Sequence, residues 1–150
     1  MAKAIFLLKR RLLLGERVGR PVAYVALPMV SRGDFSFNRE YVRVVESLGL
    51  EVASKWVESW DDADPREVFE RDLRAIDACD VLVADVSEPS HGVGMEVMYA
   101  YMRGKRVVLT ARRGSKVSRM LLGLPGAALV WYGDLGELRD GLRKALRAKR

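Results

Sequence analysis

Asp80-Val81-Leu82-Val83-Ala84-Asp85-Val86-Ser87-Glu88-Pro89-Ser90-His91-Gly92-Val93-Gly94-Met95-Glu96 is the stretch on which the fold turns. Val81–Val86 reads as an apolar strand, Ser87–His91 as a Pro/Ser turn, and Gly92–Arg103 as a helix that Gly104 stops. Small residues at a helix N-terminus leave backbone N–H groups open to an anion. A carboxylate only a turn further on, Glu96, is out of keeping with an anion site, because like charges repel. The stretch is therefore expected to bind phosphate at one end and to do chemistry at the other.

Outward from it, strand and helix signals alternate. Val22–Leu27 reads as the first strand, a loop follows over 28–36, and Phe37–Leu48 has helical periodicity closed by Gly49. Leu50–Val57 is the second strand candidate. Asp64-Pro65-Arg66-Glu67 has the form of a helix start, with N-cap, proline at N1 and Glu at N3, and that helix runs to about Ala78. Arg106–Thr110 reads as the fourth strand. A basic loop, Arg112–Lys116, leads to a short helix near Val117–Leu122. Ala127–Trp131 is the fifth strand, and Asp134 with Glu137 opens a terminal helix. The expectation is an α/β, single-domain, doubly wound (flavodoxin- or Rossmann-like) five-stranded parallel sheet with helices on both faces. It occupies 21–150, with an N-terminal extension of unclear structure over 1–20.

Composition narrows the chemistry. Half of the 150 residues are hydrophobic (49%), enough for a real core. One cysteine, Cys79, and one histidine, His91, exclude a disulfide framework and make a Cys- or His-based metal centre unlooked for. The apolar runs Ile5–Leu8 and Leu12–Leu14 are split by Lys9-Arg10-Arg11, too short and too charged for a membrane span, so a cytoplasmic protein is expected. The net charge of +6 suits phosphorylated ligands. A nucleic-acid binder is disfavoured, since aromatic residues are few (8%) and scattered and no recognition motif is present. The absence of glutamine, with single Asn38 and Thr110 and 31% charged residues, fits a thermophile.

In an open α/β sheet ligands bind beyond the carboxyl ends of the strands, where the strand order reverses. In a flavodoxin-like order the loops at that point are Pro28–Phe35, with Arg32, and Ser87–His91, with Ser90 and the Gly92-x-Gly94 helix start. Gly92-x-Gly94 alone is neither a dinucleotide fingerprint nor a P-loop; close helix–sheet packing would explain it equally. Glu96 fits a carboxylate favourably placed near a helix N-terminus; standing among Val93, Val97 and Ala100, the expected sheet-facing stripe, it equally fits a partly buried group facing the cleft. Asp72, between Arg71 and Arg74's helical faces, also fits a solvated surface. Tyr24 fits the core, with its hydroxyl within reach of the cleft. His91 is read as a loop residue near the ligand rather than a base or metal ligand.

The strand followed by Ser87-x-Pro89-Ser90-x-Gly92-Val93-Gly94-x-Glu96, with Asp72-Leu73 on the preceding helix, resembles the nucleoside 2-deoxyribosyltransferase superfamily, over about Val22–Trp131. Within it the likeness is closest to the 2'-deoxynucleoside 5'-phosphate N-hydrolase branch. The resemblance implies that Glu96 attacks the anomeric carbon of the sugar, that Asp72 assists at the sugar and leaving base, and that Tyr24 belongs to the same constellation. It implies phosphate binding by Ser90 and Gly92, by an arginine of the first loop, for which Arg32 is the candidate, and by Ser118 from a neighbouring subunit. Gly94 and His91 stand with these as substrate-binding positions. The expected substrate is thus a nucleoside 5'-monophosphate, in a homodimer with a shared site and without metal or organic cofactor. Two departures stand out. Ala26-Leu27-Pro28-Met29 replaces the small residue usual after the first strand, and the basic tail Lys144–Arg150 lacks the Asn and terminal carboxylate of the transferases, which favours hydrolysis. A transferase and a non-catalytic nucleotide-binding module are the competing readings.

Overall fold

The computed structural model describes residues 19–30 and 34–148. Arg32 lies outside them, as does the expected N-terminal extension apart from Gly19 and Arg20. The elements are β1 (Val22–Ala26), α1 (Ser36–Ser47), β2 (Glu51–Val52), a 3-10 turn (Lys55–Glu58), α2 (Pro65–Ala78), β3 (Val81–Asp85), α3 (His91–Met102), β4 (Arg106–Arg112), α4 (Arg119–Leu122), β5 (Ala128–Tyr132) and α5 (Leu135–Arg147). All strands pair in parallel in the order β2-β1-β3-β4-β5, the flavodoxin-like order.

Side chains alternate along the strands, so the central strands β1, β3 and β4 feed two cores. Ala23, Val25, Val83, Val108 and Tyr132 pack with Tyr41, Val45, Leu138 and Leu142 of α1 and α5. Tyr24, Ala26, Leu82, Ala84 and Leu109 pack on the other face with Ile76, Val93, Val97 and Ala100 of α2 and α3. Tyr24 falls on the second face, where its ring packs with residues of α2 and α3. Gly141 lets α5 approach β5 closely: a Cβ there would stand 2.3 Å from Cγ1 of Val130. Gly104, at φ +67, closes α3 in a conformation few other residues adopt.

The capping signals at the two flanking helices are realised. Asp64 accepts from the N–H of Arg66, and Asp134 from that of Glu137. The Glu137 carboxylate reaches back to the N–H of Gly133 (2.7 Å).

The second strand is shorter than the expected Leu50–Val57. Its ladder ends because the Ser54 hydroxyl bonds both the N–H and the C=O of Val25, at 2.8 Å each. A buried side chain thus satisfies the two backbone groups of β1 that a longer β2 would have paired, and the chain turns into the 3-10 segment carrying Trp56. Among the described residues no helix is long and apolar enough to cross a membrane.

Candidate active site

Tyr24, Asp72 and Glu96 come from β1, α2 and α3 and meet on one face of the sheet. The Tyr24 ring is fully buried, and its hydroxyl donates to Oε1 of Glu96 at 2.6 Å. Burial, then the negative charges of Glu96 and Asp72, drive the Tyr24 hydroxyl far above its ordinary range, so it remains a donor. Burial also pushes Glu96 up to about 8, with the Asp72 charge adding to it while the Tyr24 hydrogen bond and Arg71 pull the other way. Asp72 is raised for the same first reason, burial, opposed by Arg71. A carboxylate pair with displaced proton affinities in a cleft is a signature of acid–base or nucleophilic chemistry.

Asp72 and Glu96 line a cavity of about 190 Å³ walled by Trp56, Val57, Trp60 and Val68 and by Asp61 and Arg71. The Trp56 ring stands edge-on to Tyr24, with centroids 6.2 Å apart. Flat aromatic and apolar walls with charged groups at one end suit a planar heterocycle.

A larger cavity, about 1050 Å³, opens beside the first at the N-terminus of α3. Ser90, His91, Gly92, Gly94, Lys116 and Ser118 line it, and Val30 lines both cavities. Ser90 is the N-cap of α3, its hydroxyl accepting from the N–H of Val93 at 3.4 Å. A Cβ on Gly92 or Gly94 would meet nothing within 4 Å, so helix–sheet packing does not require either glycine. Their bareness instead leaves the positive end of the α3 dipole open to the cavity.

The family model described as nucleoside 2-deoxyribosyltransferase matches residues 23–132. The chain belongs to this family. A Thermofilum pendens relative, provisionally named 2'-deoxynucleoside 5'-phosphate N-hydrolase 1, is 40% identical over 137 residues, which cover 82% of this chain and 93% of the relative. Among solved structures, BlsM aligns with a TM-score of 0.69 at 22% identity, over 87% of this chain and 94% of its own. The Clostridium botulinum CMP N-glycosidase BcmB aligns with a TM-score of 0.60 at 19% identity, over 81% and 96%. At such identities the two structures are likenesses of fold.

Within this deoxyribosyltransferase-family chain the residues singled out from the sequence fall into two groups. Tyr24, Asp72 and Glu96 gather at the small cavity; Ser90, His91, Gly92, Gly94 and Ser118 line the large one. Trp56, Trp60, Asp61 and Arg71 are among the lining residues that were not singled out. Trp56 was hidden in what read as a strand. Arg71 read as a surface neighbour of Asp72, whereas the structure stacks its guanidinium on the Trp56 ring, 4.0 Å from the centroid. Nothing in their local sequence marks them: Trp56 on the 3-10 turn and Arg71 on α2 are 15 residues apart, and only the fold stacks them.

Proposed function

We propose that this protein cleaves the N-glycosidic bond of nucleoside 5'-monophosphates, releasing free base and sugar 5-phosphate, with Glu96 as the nucleophile. The observation that carries the reading is the Tyr24–Glu96 hydrogen bond at the small cavity, which adjoins the large one at Val30. It supports a division of labour in which the base lies against Trp56 and Trp60 and the phosphate at Ser90, Gly92 and Gly94. C1' then stands at Glu96. The Glu96 carboxylate forms a bond to C1' as the C1'–N bond breaks, and the base leaves with the bonding electron pair and a proton supplied by Asp72. Water then attacks C1', gives a proton back to Asp72 and breaks the C1'–O bond to Glu96, which frees sugar 5-phosphate and the Glu96 carboxylate. Holding the phosphate turns binding energy into placement of C1'.

The reading extends to a homodimer. Exposed Met95, Met98 and Met102 on α3 and Met120 and Leu122 on α4 flank the large cavity, an apolar face that a second copy would cover, bringing the partner's Ser118 to the phosphate. Sedimentation of the protein and of a Met98→Glu variant tests this, with dimer expected for the first and monomer for the second.

The activity is tested with a panel of ribo- and deoxyribonucleoside monophosphates and free nucleosides, scored for released base. Release from monophosphates, with sugar phosphate as co-product, is expected. Base exchange on adding a free acceptor base would make it a transferase. Monophosphate binding without any release would make it a binding module.

A further inference from the structure

The small cavity holds three carboxylates, Asp61, Asp72 and Glu96, and one cation among its described lining residues, Arg71. Arg71 is fixed on three sides. Its Nη1 meets Oδ2 of Asp61 at 2.6 Å, and its Nε donates to Oδ1 of Asp72 at 2.9 Å. Nη2 lies 2.9 Å from the same Oδ1. The guanidinium plane rests on Trp56, the ring that also abuts Tyr24. A guanidinium with this many contacts keeps one position at little further entropic cost, whereas a lysine ammonium in its place would make a point contact. Both contacts to Asp72 fall on Oδ1, so Oδ2 takes no part in these contacts.

We propose that Arg71 is a positioning residue for the reacting pair: clamped by Asp61, Asp72 and Trp56, it supplies the positive charge that sets how many protons Asp72 and Glu96 share. This rests on the activity proposed above. The titratable and charged groups facing the pair are Tyr24 from β1, Asp61 from the loop before α2, Arg71 on α2, and each carboxylate toward the other. Tyr24 stays a neutral donor across the working range, so Arg71 and Asp61 are the two opposed charges left to tune the pair. The positive charge of Arg71 draws protons off both carboxylates; the negative charge of Asp61 holds the proton on Asp72 and acts on Glu96 only through the coupling of the pair. The coupled pair titrates as a unit, so a change in either outer charge moves both limbs of a bell-shaped pH–rate profile together.

The experiment uses the full chain and two charge-removing variants with opposite expected signs. In Arg71→Gln the profile of kcat/KM for base release from a nucleoside monophosphate moves to higher pH, by about one to two units. In Asp61→Asn, where Asp72 and Trp56 still hold Arg71, it moves by a smaller amount to lower pH. Arg71→Lys restores much of the wild-type profile. Structural damage lowers both variants' rates at all pH values and cannot shift them in opposite directions. An unmoved profile in folded Arg71→Gln, or a shift of the same sign in both variants, overturns the proposal. A side-chain carboxyl carbon NMR titration of Glu96 in the three proteins reads the same shifts without substrate. A wild-type enzyme inert on every monophosphate would therefore refute the activity while the titration still decides the role of Arg71. Should Arg71→Gln not fold, the sign of the Asp61→Asn shift decides it alone.

Discussion

Asp85 and Glu96 stand near the same end of the sheet, on opposite faces, and their surroundings could hardly differ more. Asp85, at the last position of β3, is fully buried. Its Oδ2 accepts from Tyr132 (2.6 Å) and Thr110 (3.1 Å), and its Oδ1 from the N–H of Ser87 (3.2 Å). With the single hydroxyl hydrogen of Thr110 committed there, Tyr41 becomes the donor to Thr110 at 2.7 Å. Every strong donor points at Asp85 from within the protein. Among the described residues Glu96 has one such donor, Tyr24, and it lines a cavity. A buried carboxylate that the protein satisfies by itself is a staple, here tying β3, β4, β5 and α1 together. A carboxylate left short of partners at a cavity is available for reaction, and its proton affinity is displaced accordingly.

The largest effect expected from breaking this contrast belongs to Glu96→Ala. Base release from a nucleoside monophosphate falls by ~10³-fold or more while phosphate binding is kept and the chain stays folded; unchanged turnover would remove Glu96 from the chemistry. Asp85→Ala should do the reverse. It leaves the Tyr132, Thr110 and Ser87 donors without a partner in the interior and lowers stability by about 3 kcal/mol, read as a fall of roughly 6–12 °C in the melting temperature. The kcat per folded molecule is largely retained, and a selective loss of kcat with normal stability would erase the contrast. Tyr24→Phe removes a hydrogen bond to an ionisable group, for a loss of roughly ten- to a hundredfold in kcat/KM. Because the lost donor favoured the ionised form, the acid limb of its profile also moves to higher pH.

The smallest effect is on stability. Glu96 is held at about 8 in the folded chain against an ordinary value of 4.5, so the folded state binds its proton more tightly. The stability this gives is present below the ordinary value and is lost as pH rises from about 4.5 through 8. Glu96→Gln carries no such burden. It should melt above the wild type at pH 8 and beyond, by ~1–2 kcal/mol, and show no gain near pH 4. Equal melting at both pH values would mean that Glu96 is not strained by its site.

The sheet was readable because its signals are local. Strand runs, the Pro65 and Asp134 helix starts and the glycines at helix ends each lie within a few residues of the structure they specify, and strand–helix alternation leaves few topologies. The exception, β2, failed for a non-local reason. Leu50–Val57 has the composition of a strand, but the Ser54 hydroxyl takes the backbone partners that would have extended it. The site divides the same way. Ser90, Gly92 and Glu96 sit in one continuous stretch, and their spacing was visible.

The clamp of Asp61, Arg71, Asp72 and Trp56 was not visible, and Arg71 beside Asp72 argued for a solvated surface. Its members lie on a loop, a helix and a 3-10 turn, and only the packing of α2 over β1 stacks the guanidinium on the indole. The same holds for the two carboxylates on which the comparison turns. Sequence alone determined that a helix start of small residues and a carboxylate lie in one short stretch after β3, because helical spacing is a covalent matter. Which carboxylate is satisfied and which is left to react was decided by tertiary structure alone. That depends on which face of the pleated sheet each side chain takes and on which hydroxyls other elements deliver there.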